Sequence, residues 1–218
     1  MIITPLGHSC FLLKESTGTT VITDPYSSDI GITMPTVSAD VVTVSHSHYD
    51  HNNIKSVSGS PLIIDRAGAF EVKGVHILGI DSKHDEENGR LRGSNIVFNF
   101  RMDGVNICHL GDVGHGPSPL MIEAIGPVDI LLVPVGGTYT IDAEVAKEYV
   151  DRLMPSIVIP MHYKTEGVEL DIDDADQFLD YFDEDSIECR PVGPVEFDRA
   201  DFDDGFNTKV ICFEFDKD

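Results

Sequence analysis

Between Ser45 and Asn53 the chain reads SHSHYDHNN, and His46, His48, Asp50 and His51 put three imidazoles and a carboxylate within six residues. Ring nitrogen and carboxylate oxygen are the donors that borderline divalent metals take. Side chains of this kind are costly to fold around unless they share a partner. A tight loop could aim His46 and His48 at one ion and Asp50 and His51 at a second. Three more candidates follow, each just beyond an apolar run. VHILGI and three loop residues precede His84, VNICHLG precedes Asp112, and IVIPM precedes His162, as VVTVS precedes His46. Side chains just past strand C-termini converge along one sheet edge, the place where open α/β sheets keep their ligands. A polar surface loop that happens to be rich in histidine would not repeat the pattern at four strand ends.

The elements that must position these residues are mostly short strands. Residues 8–14 and 19–23 flank the turn Ser16-Thr17-Gly18, and Asp24-Pro25 ends the second of them, since proline cannot continue a ladder. A Ser-, Gly- and Pro-rich loop covers 26–38, strand 41–45 leads into the histidine stretch, and one helical turn falls near Asn53–Val57. Further strands are expected at 61–64, 69–72, 75–80, 95–101 and 105–110, the last two joined at Asp103-Gly104. Residues 82–93 read as a polar loop. Ser118-Pro119 opens a short helix that Gly126 closes. An apolar strand at 129–135 comes next. Asp142 caps a helix to about Leu153, whose apolar face is Val145, Ala146, Tyr149, Val150 and Leu153. A strand at 156–160, an acidic helix near 173–182, and strands near 195–198 and 208–215 complete the chain. Many strands, with helices concentrated in the second half, imply packed sheets with helices outside.

Composition narrows the classes of function. At 218 residues with 41% hydrophobic residues, the chain is expected to form one domain over 1–218 with a substantial core. No apolar run reaches the roughly 18 residues of a membrane span, and the N-terminus lacks a signal-peptide pattern, so the expected location is cytoplasmic. Cys10, Cys108, Cys189 and Cys212 form no CxxC pair and are read as reduced core residues rather than disulfides or ligands. The formal net charge is −23. Residues 165–218 hold 19 of the 38 acids and only 4 of the 15 bases, so the excess lies mostly away from the histidine stretch. A surface this acidic repels phosphate backbones, which makes nucleic acid an unlikely partner.

The motifs HSHYDH, His84, HLGD ending in Asp112 and MHY carrying His162 resemble those of the metallo-β-lactamase-fold hydrolase superfamily. Within it the chain is similar to small metal-dependent hydrolases related to the ascorbate-6-phosphate lactonases. LGHSCFLL, VITDP, LLVPVGGTYT and IPMHYKT extend the resemblance over most of residues 1–164. It implies an α/β four-layer αββα sandwich with two divalent ions at one sheet edge, zinc foremost, with manganese or iron as alternatives. By motif, His46, His48 and His84 would hold the first ion, Asp50, His51 and His162 the second, and Asp112 would bridge. His76 competes with His84 for its place. The expected activity is hydrolysis of a small ester, lactone or phosphoester, with a metal-bound hydroxide as nucleophile and Asp50 orienting it. Alternatives are an RNA or phosphodiester nuclease of the same fold and a metal-binding sensor without catalysis. Oligomeric state is not legible.

Around these residues, Asp24 reads equally as a brace for the histidine loop or as a plain turn aspartate. His8 and His109 read as satisfied core histidines, with an approach to the metals as the other reading of His8. His115 is weighed as a pocket residue. Lys83, Arg90, Arg92 and Lys164 flank His84 and His162 and could receive an anionic group, although Asp85, Glu86 and Glu87 balance the first three into a mixed-charge loop. Tyr139 and Tyr163 are candidate pocket walls.

Overall fold

The computed structural model describes residues 1–202 and 207–215. Its first half is almost all strand: β1 (Ile2–Gly7), β2 (Cys10–Lys14), β3 (Thr20–Thr23), β4 (Val37–Ser38), β5 (Val41–Thr43), β6 (Val57–Ser58), β7 (Leu62–Ile64), β8 (Gly68–Val72), β9 (Val75–Lys83), β10 (Ser94–Met102) and β11 (Val105–His109). Helices enter with α1 (Pro119–Ile125), β12 (Ile130–Pro134), α2 (Ala143–Leu153), β13 (Ile157–Met161) and α3 (Asp176–Leu179), followed by β14 (Ile187–Pro191), β15 (Val195–Glu196) and β16 (Lys209–Glu214).

Two sheets carry the fold. One has the order β15-β1-β2-β3-β5-β7 and the other β14-β16-β13-β12-β11-β10-β9-β8; β4 and β6 pair separately. Their inner faces share one core, in which Leu13, Val21 and Val41 from the first sheet pack with Ile77, Phe98, Phe100, Ile107 and Leu132 from the second. Burying both inner faces is what makes two sheets stable as a pair. On the outer face of the larger sheet, Cys108, Leu131, Val133 and Val158 meet Met121 and Ile125 of α1 and Ala146, Tyr149, Val150 and Leu153 of α2. The Ser118 hydroxyl accepts from Met121 N at 3.1 Å and the Asp142 carboxylate from Val145 N at 3.0 Å, so both helices begin where the cap residues place them. The other outer layer, over Cys10, Ile22, Val42 and Val44, is built from Tyr26, Ile30, Met34 and Val57. Among the described residues, the 3-10 turns Ser28–Ile30 and Ile54–Ser56 and the short β4–β6 pair stand there in place of long helices, so that outer layer of the αββα sandwich is thin.

Three expectations are corrected. β1 was hidden by Pro5 and Gly7, yet it lies inside the first sheet, which absorbs them at a register shift between these two residues. The acidic helix near 173–182 shrinks to the four residues of α3. Crowded aspartates favour side-chain-to-backbone turns over helix, and Asp174 accepts from Asp176 N at 3.0 Å. Finally, Cys189 and Cys212 are not reduced core residues. Parallel pairing of β14 with β16 sets them opposite each other, with Cα atoms 4.7 Å apart, and they are joined as a disulfide. Spacing along the chain could not reveal a pair created by strand register. Cys10 and Cys108 stay free and buried.

Strand direction explains the site. β11, β12 and β13 run parallel, and β9 runs the same way because β10 is antiparallel to both β9 and β11. The C-terminal ends of β9, β11 and β13 therefore share one edge. The first sheet is tied to that edge where Ile96 N donates to Ser45 O at 2.9 Å, which brings the end of β5 alongside.

Candidate metal centre

All seven sequence-selected residues come together at this edge. His46, His48 and His84 each present a ligand atom within 4.8 Å of the others, as do Asp50, His51 and His162 together with His8, and His46 and His51 with Asp112. Asp112 sits between the sets. Its carboxylate lies 3.4 Å from His84 Nε2 and 3.7 Å from His46 Nε2 on one side, and 3.2 Å from His51 Nε2 and 3.1 Å from His162 Nε2 on the other. His48 is the one member outside the buried set.

Asp24 braces the loop. It is 1% exposed, accepts from Ser45 N at 2.7 Å and from Ser45 Oγ at 2.6 Å, and lies 2.9 Å from His51 Nδ1. Because the Ser45 hydroxyl donates to Asp24, its oxygen is left to accept from His46 Nδ1 at 2.9 Å. One carboxylate thus fixes Nδ1 as the protonated nitrogen on two rings and turns both Nε2 lone pairs into the cluster. Glycine is required where backbone crowds backbone. A Cβ on Gly114 would collide with the His84 carbonyl, and one on Gly136 with that of His162. Asn95 Oδ1 takes Asp112 N at 2.9 Å while Asn95 Nδ2 donates to Leu110 O, so one amide holds both sides of the turn.

The electrostatics are those of a donor set. Burial, then His162, pulls His8 down to about 4; burial, then His51, pulls His46 down to about 3. Burial also lowers His84. Burial opposes ionisation of Asp112, but the charges of His162 and His51 hold its carboxyl well below the usual range. Asp50 is likewise lowered against burial by the neighbouring rings of His51 and His8, and Asp24 by His51. Burial would lower His51 too, yet the carboxylates of Asp112, Asp24 and Asp50 raise it well above its ordinary value. Ionised carboxylates among mostly neutral rings form a negative pocket.

Buried atoms here make no well-formed hydrogen bond within the protein: His46 Nε2, His51 Nε2, His84 Nδ1, Asp112 Oδ1 and both nitrogens of His8 and His162. Each such atom costs about 1–3 kcal/mol. Nitrogen and carboxylate donors converging without partners fit divalent cations.

Other candidates fall outside. His76 is exposed on β9, 3.8 Å from Glu71, whereas His84 is in the cluster. His109 is structural: Gly111 N donates to its Nδ1, so Nε2 donates to Ser9 O at 2.9 Å. His115 turns to Ser82 Oγ and Gly116 O. Arg90 pairs with Glu87, Lys164 Nζ donates to Leu170 O, and Tyr163 donates to Phe213 O. Arg92 and Tyr139 line a cavity of about 420 Å³ that also touches His84 and Gly114. There Arg92 donates to Thr138 O at 2.9 Å with its guanidinium 5.6 Å from the Tyr139 ring centre. Of the two readings of His8 from sequence, core histidine and approach to the metals, the structure favours the second, with its Nε2 3.4 Å from Asp50.

Comparison with known proteins decides the family. A model described as the beta-lactamase superfamily domain matches residues 2–162. The chain belongs to the beta-lactamase superfamily. Within this superfamily it is 30% identical over 185 residues to a UPF0173 metal-dependent hydrolase of Thermoplasma acidophilum, covering 73% of this chain and 81% of that one. A solved structure from Thermotoga maritima, assigned as a Zn-dependent hydrolase of the metallo-β-lactamase superfamily, aligns with a TM-score of 0.80 at 42% identity and covers 98% of each chain. The superfamily fold alone is shared with CmlA, a diiron β-hydroxylase of Streptomyces venezuelae. That likeness has a TM-score of 0.61 at 19% identity, over 83% of this chain and 50% of that one. The fold is that of the metallo-β-lactamases, and the relatives at 30% and 42% identity carry the names of metal-dependent hydrolases.

Proposed function

We propose that the protein hydrolyses a small ester, lactone or phosphoester at a dinuclear site, with zinc as the foremost metal. His46, His48 and His84 would hold one ion, Asp50, His51 and His162 the other, and Asp112 both. The observation that carries this reading is the position of Asp112, within 4 Å of ring nitrogens from each set. Bound ions of this kind supply a water whose pKa falls to roughly 7 and a positive field for charge developing on the substrate.

The chain's own residues do the rest. Asp24, through Ser45 and His51, holds the rings in the tautomer that leaves Nε2 free. Asp50 turns Oδ2 toward His8, His51 and His162, and its other oxygen would be free to orient a nucleophilic water. The cavity beside His84 receives the substrate. Its Arg92 guanidinium, over the Tyr139 ring, is placed to meet an anionic group such as phosphate or carboxylate, with Glu86, Glu87 and Asp142 lining the rest of the cavity. The charge of −23 favours a small substrate over a nucleic acid.

Metal-loaded protein is expected to cleave members of a panel of esters, lactones and phosphoesters. Asp50→Ala or His162→Ala should abolish cleavage while circular dichroism stays unchanged. A fully metallated wild type that is inert across the panel would count against hydrolysis and favour a sensor.

A further inference from the structure

We infer that His8 is a ligand of the second ion, so that the two metal positions are chemically unequal. The inference rests on the dinuclear reading above and deepens it. Three observations carry it. First, a ligand atom of His8 lies within 4.8 Å of one from each of Asp50, His51 and His162, and the contact with Asp50 is 3.4 Å. Donors about 2.0–2.2 Å from a common ion lie at most roughly 4.4 Å apart, so a contraction of a few tenths of an ångström brings all four onto one ion. Second, both His8 ring nitrogens are buried without a hydrogen-bond partner. A packed core histidine satisfies at least one of them, as His109 does through Ser9 and Gly111. Third, the backbone is bent to put it there. His8 has φ +53, a conformation uncommon for a residue with a Cβ, and its carbonyl takes the amide of His162, itself at φ +52. Such strain persists where surrounding structure requires it and gathers at functional sites.

The consequence is a difference in coordination. The first set offers three imidazoles with Asp112 beside them. The second offers His8, His51, His162, Asp50 and Asp112, five protein donors before any water is added. Four donors suit tetrahedral zinc, whereas five or six of mixed nitrogen and oxygen suit an ion that accepts higher coordination, such as iron or manganese.

The test loads metal-free protein with cobalt(II), one equivalent at a time. In the wild type the second equivalent should give the weak visible absorption of five or six ligands. Proton NMR of the fully loaded protein should show shifted ring signals from His8, His46, His48, His51, His84 and His162. In His8→Gly and His8→Asn, both tolerant of positive φ, the second equivalent should bind roughly tenfold or more weakly, with the first unchanged. Wild-type spectra that lack a His8 ring signal, or variants that bind the second equivalent as the wild type does, would overturn the inference and leave the dinuclear reading standing. A wild type that takes no second equivalent would remove both. The NMR arm needs no variant, so a substitution that fails to fold does not blunt the test.

Discussion

Asp24 Oδ2 lies 2.9 Å from His51 Nδ1, and the same oxygen receives the Ser45 hydroxyl at 2.6 Å. A residue outside the ligand sets thereby sets the proton positions of two inside them. Asp24→Asn keeps the shape but offers one oxygen where three donors converge. Metal affinity is expected to fall about 10–100-fold, with a loss of about 1–3 kcal/mol in the stability of the metal-free protein. Competition with a chelating dye and urea unfolding measure the two.

Asp112 and His84 should differ in what they take away. His84→Ala removes a donor from one set and is expected to lower the metal content by one ion. Asp112→Ala removes the carboxylate common to both and should lose both ions, which elemental analysis of the purified variants would read. Equal losses from the two variants would argue against a bridging place for Asp112.

Gly114→Ala drives a methyl group into the His84 carbonyl, backbone against backbone with no side chain to swing aside. A cost of about 1–3 kcal/mol is expected, together with weaker metal binding because His84 must shift. Gly193→Ala, with nothing within 4 Å of the new carbon, is the matched control and should unfold at an unchanged urea midpoint.

Acid should destabilise the metal-free protein earlier than it would a protein without buried histidines. His8, at about 4, and His46, at about 3, bind protons in the unfolded chain near 6.5 but not in the folded one. The unfolded state therefore gains protons first, and stability falls as pH drops from about 6.5 toward those values. Burial lowers His84 and His109 as well, in the same sense. His51, raised by its carboxylate partners, works the other way but stands alone. Urea midpoints measured from pH 7 to pH 4 should decline steadily. A flat profile would contradict the assignment of neutral buried rings.

The Cys189–Cys212 disulfide closes a separation of 23 residues. Constraining a loop of that size in the unfolded chain stabilises by roughly 3 kcal/mol. Cys189→Ser is expected to lower the melting temperature by several degrees while leaving metal content unchanged, since neither cysteine belongs to the donor sets.

How much of this was readable follows from where each residue's neighbours come from. His46, His48, Asp50 and His51 are neighbours in sequence, and His84, Asp112 and His162 follow strands whose apolar runs are plain, so the cluster could be assembled from the chain alone. His8 could not. Its place depends on a turn with positive φ between β1 and β2, and Pro5 and Gly7 conceal β1. Asp24 was evenly balanced because a turn aspartate and a brace look alike until the partners are known. β14 was missed for another reason: IECRP is a charged, partly exposed edge strand without the alternation that marks a half-buried one.

Asp85 is buried next to His84, and its carboxylate accepts from the backbone amides of Glu87, Gly89, Leu91 and Arg92 at 2.7–2.9 Å. The loop is closed on its own first residue and on the His84 amide, which donates to Gly93 O at 3.1 Å, and Glu86, Glu87, Asn88, Arg90 and Leu91 face outward. The tie uses only main-chain donors, so those five side chains are free to change without moving the donor beside them. Under the proposed function, substrate preference could therefore drift, or be rewritten, in this rim while the metal-binding edge beneath it stays as it is.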